Sequence, residues 1–517
     1  MPSLCVPKII GSDVELANFV HGAELPACES TGPLAALLLT GEVDGIPAEK
    51  NSRTRPYPMS PDAYVAEWGR VFLPANGSSV YVDAHHFEVN SPETLGPSDY
   101  AAAWRAMLRI ADQARSDAER RLKPGITLEV MANTSDRRSN SFGSHVSVAT
   151  TRPAWTSLFE GAVLHWLASF HVSSIIITGA GKTGAENDAR PADFQLSERA
   201  DFFRRLTTVE TTGPDRGIVN KRDEALAGQE INRARYHCIC YDSNLQTVAA
   251  YLKAGMLAIV FLMLEAGEAD FACSFEDPVA AFGAISRDLT FESALRAVDG
   301  KHLTALDLQL RFLDRAARFI DSGRADGLLP GAHRVVRLWA QMLDLVRARN
   351  LPSLARRLDW ALKLSILTRL MDRHPELDWN SPEVQYADLQ YANIDPAKGL
   401  FWAYEAAGFV EKVVRADRIA HLVSNPPENT RAYTRAMLLR RAGPERISKV
   451  DWDSIAFRSL TGTRDLIYRL PMDDPSAFTR QKVGHLLSLD VTLEEVLEQL
   501  KRHRSRGNRT GVASTVN

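Results

Sequence analysis

The chain has 517 residues, 45% of them hydrophobic and 24% charged, with a formal charge of -3. That length fits one large domain with appendages, or two or three domains, and the near-neutral balance gives no reason to expect nucleic acid as a partner. Five cysteines without framework spacing fit a reducing cytoplasm better than a disulfide scaffold. The start, MPSLCVPKII, lacks the long apolar core of a signal peptide. The most hydrophobic run, 256–264, is too short to span a bilayer and reads as a buried helix, so no membrane is expected.

Residues 8–16, KIIGSDVEL, are predicted as a strand. Side chains alternate with period two, so Asp13 and Glu15 share one face and Val14 and Leu16 the other. A long irregular segment is expected over 18–62, with several Pro and Gly residues and the run EKNSRTRPYP. An insertion of that length is functional or disordered, and it leads from one acidic strand towards the next. Residues 64–73 read as a helix, or as a helix turning into a strand.

The stretch 78–93, SSVYVDAHHFEVNSPE, starts as a strand with Val80 and Val82 on one face and Ser79, Tyr81 and Asp83 on the other. His85, His86, Glu88 and Glu93 follow closely, a dense group of oxygen and imidazole ligands at a strand end. A solvated hairpin edge is the alternative. Two such strands can pool four or five oxygen ligands on one sheet surface, as Mg²⁺ sites that also hold nucleotide phosphates do.

Residues 98–122 read as an amphipathic helix and 126–131 as a strand. The loop 134–144, TSDRRSNSFGS, either cradles phosphate with Arg137 or Arg138 or is an exposed hairpin turn. His145 and the strand VSVAT follow. Residues 155–170 are predicted as a helix and 174–178 as a buried strand. GAGKTG at 179–184 is read as a turn, because Ile176 stands where a phosphate-binding loop needs its first glycine.

FQLSERADFF and RGIVNKRDE place three arginines near polar partners. Arg235 and His237 share one face of a strand, which suits phosphate and metal, or else a satisfied core histidine. Cys238 and Cys240 are read as core packing. From 244 to 410 the chain is expected to be mainly helical, capped at Asp242 and Ser243, with Trp339 and Trp360 as core anchors. A smaller unit begins near 451, after the break at Pro426–Pro427, and ends in a helix over 493–502. The basic, polar tail is expected to fray.

Several of these stretches, in this order, resemble the Pup ligase and Pup deamidase/depupylase family, whose fold is related to glutamine synthetase and the carboxylate–amine ligases. They are IIGSDVE, NGSSVYVDAHHFEVNSPE, FQLSERADF, RGIVNKRDE, RYHCICYDSN, ALDLQ, NPPENTRA and WDSIAF. The resemblance covers residues 8 to about 500. WDSIAF, RLPM, VGHLL and VETTGPDRGI look like the deamidase/depupylase branch, as does the long insertion, whereas AEWGRVFLPANG has a ligase flavour.

The resemblance implies an α+β fold. A glutamine synthetase-like domain over 1–435, with a curved antiparallel sheet backed by helices, would precede a small domain over 436–502 and a tail over 503–517. It implies Mg²⁺ at Asp13, Glu15, Tyr81, Glu88 and His237, with Asp83 as the catalytic aspartate. It implies ATP, or ADP plus phosphate, contacted by Ser91, Arg222, Arg235 and Trp452. The implied chemistry is hydrolysis of the C-terminal glutamine amide of Pup, or of the isopeptide bond between Pup and a target lysine. The alternatives are ATP-dependent Pup–protein ligation and a catalytically weak paralogue that binds the modifier.

Four departures accompany the likeness. Ser79 stands where the family has an arginine, and Val146 and Ser147 replace Glu-Asn after the histidine. Ala225 and Leu226 replace Pro-His. Asp13 replaces Glu, which shortens the side chain by about 1.5 Å.

Overall fold

The computed structural model describes residues 5–22, 31–49, 67–213, 215–227, 232–458 and 467–512. Its centre is an antiparallel sheet. The strands in chain order are β1 (Ile9–His21), β2 (Ile46–Pro47), β3 (Glu67–Phe72), β4 (Ser79–Asp83), β5 (His86–Asn90), β6 (Thr94–Leu95), β7 (Thr127–Met131), β8 (Ser144–Thr151) and the strand Arg233–Cys238. Across the sheet the order is Arg233–Cys238, β8, β1, β5, β4, β3, β2, with β6 and β7 also paired to β1.

One face of the sheet is apolar and carries helices. Ile10, Val14 and Leu16 of β1, with Val80, Val82, Phe87 and Val89, are buried there. Helix α1 (Thr31–Glu42) lies on β1, β4 and β5, α2 (Pro97–Glu119) packs on α5 (Thr247–Glu265), and the short α3 (Arg152–Ser157) lies against β8 and α5. α5 is apolar all round, which marks a helix enclosed by protein. Both α5 and α4 (Gly161–Thr178) are long and apolar enough to cross a membrane, yet they are 94% and 78% buried within the protein. The buried Lys8 ammonium meets Glu265 of α5 at 2.5 Å and the Ala149 carbonyl at 3.0 Å, which pins the start of β1 to the helix layer.

Several expectations are corrected. β1 runs on to His21 because β7 pairs with its second half, from Ala17 opposite Met131 to His21 opposite Thr127. The expected irregular segment 18–62 therefore begins as strand and contains α1 and β2. Residues 23–30 and 50–66 lie outside the described residues. Residues 174–178 are the last turns of α4, not a strand. An unbroken apolar run carries no period to separate the two readings. α5 is preceded by Gln246, and Asp242 instead accepts the backbone N–H groups of Ala180 and Glu198. The final helix extends to Val512, past the expected end at 502.

A second apolar cluster joins Leu438 and Leu439 of the helix Arg431–Arg446 to Ile455, Phe457, Leu470, Val496 and Leu497. It includes Ile46 and Phe72 from the far edge of the main sheet. The helix Arg431–Arg446, which spans residue 435, packs its apolar side into this second cluster.

Candidate active site

Strand register builds the polar face of the sheet. Glu15, Glu88 and Tyr81 stand opposite one another on β1, β5 and β4. His145, Asp13, Asn90 and Ser79 form the next row across β8, β1, β5 and β4. His237 faces Ser147, which in turn faces Gly11. Asp83 follows Tyr81 by two residues and so shares its face. Except for Ser79, which is fully buried, these groups open into a cavity of about 610 Å³, also lined by Arg70, Ser91, Arg222, Arg235 and Trp452. All ten site residues expected from the resemblance meet there.

Two sets of ligand atoms are drawn together. The ligand atoms of Glu15, Asp83 and Glu88 lie within 4.8 Å of one another, and so do those of Asp13, His145 and His237. The Asp13 carboxylate is 3.1 Å from His145 Nδ1 and 3.9 Å from His237 Nε2. The shorter side chain at position 13 therefore still reaches both imidazoles. Glu15 is 3.2 Å from His86 Nδ1. The Tyr81 hydroxyl donates to Glu88. His145 was not among the expected ligands. Its signal is non-local: only the antiparallel pairing of β1 with β8 brings it opposite Asp13.

Burial, and then the negative charges of Asp13, Glu15 and Asp83, push the Glu88 carboxyl well above the ordinary range. Burial opposes ionisation of Asp13, but His237 and His145 overcome it and hold the carboxyl below its usual range. Glu15 is likewise lowered against burial by His86 and His145. Burial, only partly offset by Asp13, drives His237 well below its usual value.

The residues fit divalent cations on three counts. His145 Nε2 and His237 Nε2 are buried with no hydrogen-bond partner. Four carboxylates crowd one face, with Glu88 forced towards neutrality. Gly143 keeps the space between Glu15 and His145 open, since a Cβ there would lie 2.7 Å from Glu15 Oε1 and 2.6 Å from His145 Nε2. The Glu15–Asp83–Glu88 set is all oxygen, which suits Mg²⁺, and the Asp13–His145–His237 set also suits Mn²⁺. We expect His145→Ala to weaken Mn²⁺ binding by more than about tenfold, the level at which even outer-shell partners begin to matter. Titration followed by electron paramagnetic resonance checks this.

Arg235 donates to Ser147 Oγ at 3.1 Å and to the Glu224 carbonyl at 2.8 Å. Arg222 pairs with Glu224 at 2.9 Å. The Ser91 hydroxyl accepts the Ser12 N–H at 2.9 Å and so forms part of the pocket wall. Trp452 stands edge-on to Phe72 at 5.2 Å, under the guanidinium of Arg435 at 4.7 Å.

Three other readings are settled by geometry. Glu93 is not a ligand of either cation set. It accepts from Arg431 at 2.7 Å and from Arg435 at 3.1 Å. In the loop 134–144, Arg137 is tied to Asp388 at 2.6 Å and so is no free phosphate cradle. Cys238, Cys240 and His171 form a buried group, but Cys238 Sγ is 3.8 and 3.9 Å from the two ring nitrogens, which places it over the ring face. Those nitrogens meet the hydroxyls of Tyr241 and Tyr236 at 3.1 and 2.8 Å, so the trio is packing, as expected.

The model of the Pup-ligase protein family matches residues 43–456. A depupylase of Acidothermus cellulolyticus is 37% identical over 428 residues, covering 82% of each chain. A Pup deamidase/depupylase of Mycolicibacterium smegmatis is 36% identical over 427 residues, again 82% of each. A Pup–protein ligase of Acidimicrobium ferrooxidans is 34% identical over 82% of this chain and 91% of its own. Among solved structures, the complex of the prokaryotic ubiquitin-like protein Pup with its ligase PafA superposes with a TM-score of 0.74 at 23% identity, covering 98% of this chain and 94% of that one. PafA with ADP gives 0.71 at 23% identity, over 87% and 97%. The backbone likeness establishes the fold, and the extent of the sequence match establishes kinship: the chain belongs to the Pup-ligase protein family.

Proposed function

We propose that this chain is an amidohydrolase of the deamidase/depupylase type, acting on the C-terminal glutamine amide of Pup or a Pup-like modifier, or on its isopeptide bond to lysine. The observation that carries the reading is Asp83, set beside two cation-ready groups in one cavity, in a chain whose relatives at 36–37% identity are depupylases. We further propose a cytoplasmic setting, which suits the four free thiols among the described residues. The division into 1–435, 436–502 and a tail is likewise a proposal.

Asp13, His145 and His237 would hold one Mg²⁺ and Glu15, Glu88 and Tyr81 a second, with Arg235, Arg222, Ser91 and Trp452 around the nucleotide. When bound, Mg²⁺ would supply positive charge that offsets the phosphates of ATP, or of ADP and phosphate, and would polarise the amide carbonyl. Asp83 either attacks the carbonyl carbon, expelling the amine and giving an anhydride that water then opens, or takes a proton from the attacking water. Water's oxygen ends on the carbonyl carbon and the C–N bond breaks. Its proton leaves on ammonia, or on the lysine amine.

The test is incubation with Pup ending in glutamine, and with a Pup–lysine conjugate, under Mg²⁺ with ATP or ADP. Conversion of amide to acid, read by mass spectrometry, is expected. The ligase reading is favoured by the 34% identical ligase relative. It predicts instead lysine-dependent release of ADP with Pup ending in glutamate. Neither product would leave the modifier-binding paralogue.

A further inference from the structure

Strand β3 carries a bulge beside the site. Trp68 stands opposite Val82 and Val71 opposite Val80, so both Gly69 and Arg70 stand against Tyr81 alone. Gly69 has φ +68, and a bulge of this kind places a glycine in that left-handed region and re-aims the residue after it. The guanidinium of Arg70 is swung across β4. Its carbon lies 3.7 Å from the centre of the Tyr81 ring, and Nη1 donates to Ser79 Oγ at 3.2 Å. Tyr81 is the residue whose hydroxyl binds Glu88. A bulge has thus delivered a cation over the partner of a cation ligand, on the wall of the cavity.

We infer that Arg70 is a specificity-determining residue that binds the phosphate chain of the nucleotide. The inference rests on the nucleotide-dependent reading above. Two divalent cations bring about four positive charges to the four carboxylates Asp13, Glu15, Asp83 and Glu88, which leaves nothing over for a polyphosphate. Further cations must come from the protein, and guanidinium is the group that pairs with phosphate oxygens through several N–H donors at once. Arg235 stands on the strand at one edge of the site, and Arg70 stands on β3 at the other. Ser79, on the strand between Arg70 and the carboxylates, is small and neutral. Its hydroxyl accepts from Arg70, so the position does not crowd the cation out.

The test is calorimetric titration of ATP, ADP and adenosine, each with Mg²⁺, into wild type, Arg70→Ala, Arg70→Lys and the double variant Arg70→Ala/Ser79→Arg. ATP binding to Arg70→Ala should weaken about 10- to 100-fold, the effect of losing a hydrogen bond between charged groups. Adenosine binding should hold steady, Arg70→Lys should lose less than Arg70→Ala, and Ser79→Arg should restore part of the loss. An unchanged ATP affinity in Arg70→Ala overturns the inference. So does equal weakening for ATP and adenosine, which would mark Arg70 as packing on Tyr81 only. Wild type that binds ATP but hydrolyses no amide would sink the functional proposal and leave this test standing. Wild type that binds no polyphosphate would sink both.

Discussion

Asp83→Asn is expected to lower the rate of amide hydrolysis by about 100- to 10,000-fold, the usual contribution of a positioned acid–base group. The substitution keeps the size of the side chain and one oxygen, and removes the charge that either proposed role requires. Asp83 lies at the end of β4, opposite His86, so the hairpin should hold its geometry. The Mg²⁺ and nucleotide contacts assigned to Asp13, His145, His237, Glu88 and Trp452 remain, so ATP affinity should change less than about tenfold, which is about 1.4 kcal/mol. Single-turnover hydrolysis and calorimetry on the same preparation separate the two effects. If nucleotide binding falls in step with the rate, Asp83 is a cation holder, and the catalytic assignment is wrong.

The second large effect is on stability. Glu93 is the counter-charge for two guanidiniums of the helix Arg431–Arg446. They are nearly inaccessible, Arg431 being 3% and Arg435 0% exposed. Arg435 also donates to the Gly77 carbonyl at 3.0 Å and the Trp452 carbonyl at 2.9 Å, so one side chain joins the main sheet, the helix and the small C-terminal unit. Glu93→Ala leaves both cations buried without their anion, a change that costs about 3–5 kcal/mol. The urea midpoint should drop, and ATP affinity should drop with it, because Trp452 loses its anchor. Arg431 and Arg435 overcome burial and hold the Glu93 carboxyl down at about 2. A carboxyl depressed in the folded state contributes stability above its unfolded value of about 4.3 and loses it as the pH falls through about 2. The gap between wild type and Glu93→Ala should therefore be constant from about pH 8 to 5 and narrow below 4. An equal midpoint for both proteins at pH 7 would show that the triad bears no load.

What the sequence revealed of this site follows from the reach of each signal. The faces of β1 and β4 were legible because alternation is a property of neighbouring residues, and Val14, Leu16, Val80 and Val82 mark the inner side of each strand. The ten site residues were named through likeness to a family. Their gathering depends on register between strands that lie far apart in the chain. His145 escaped because nothing local pairs it with Asp13. Glu93 was misassigned because its partners lie 338 and 342 residues further on. Arg70 gave no signal, since its direction comes from a bulge that only strand pairing creates. The continuation of β1 to His21 was hidden for the same reason, its partner β7 being about a hundred residues away.

The way the rows are built also limits how this protein can change. Every functional group on the face is held there by a count of residues, odd on one side and even on the other. Exchanging one side chain alters one contact. Inserting or deleting one residue within β1, β4 or β5 turns the rest of that strand over, carrying carboxylates into the apolar layer and valines into the cavity. Related chains should therefore differ in length at the connections between these strands and hardly ever within them, and a designer can graft loops onto the hairpins but cannot lengthen the strands by one.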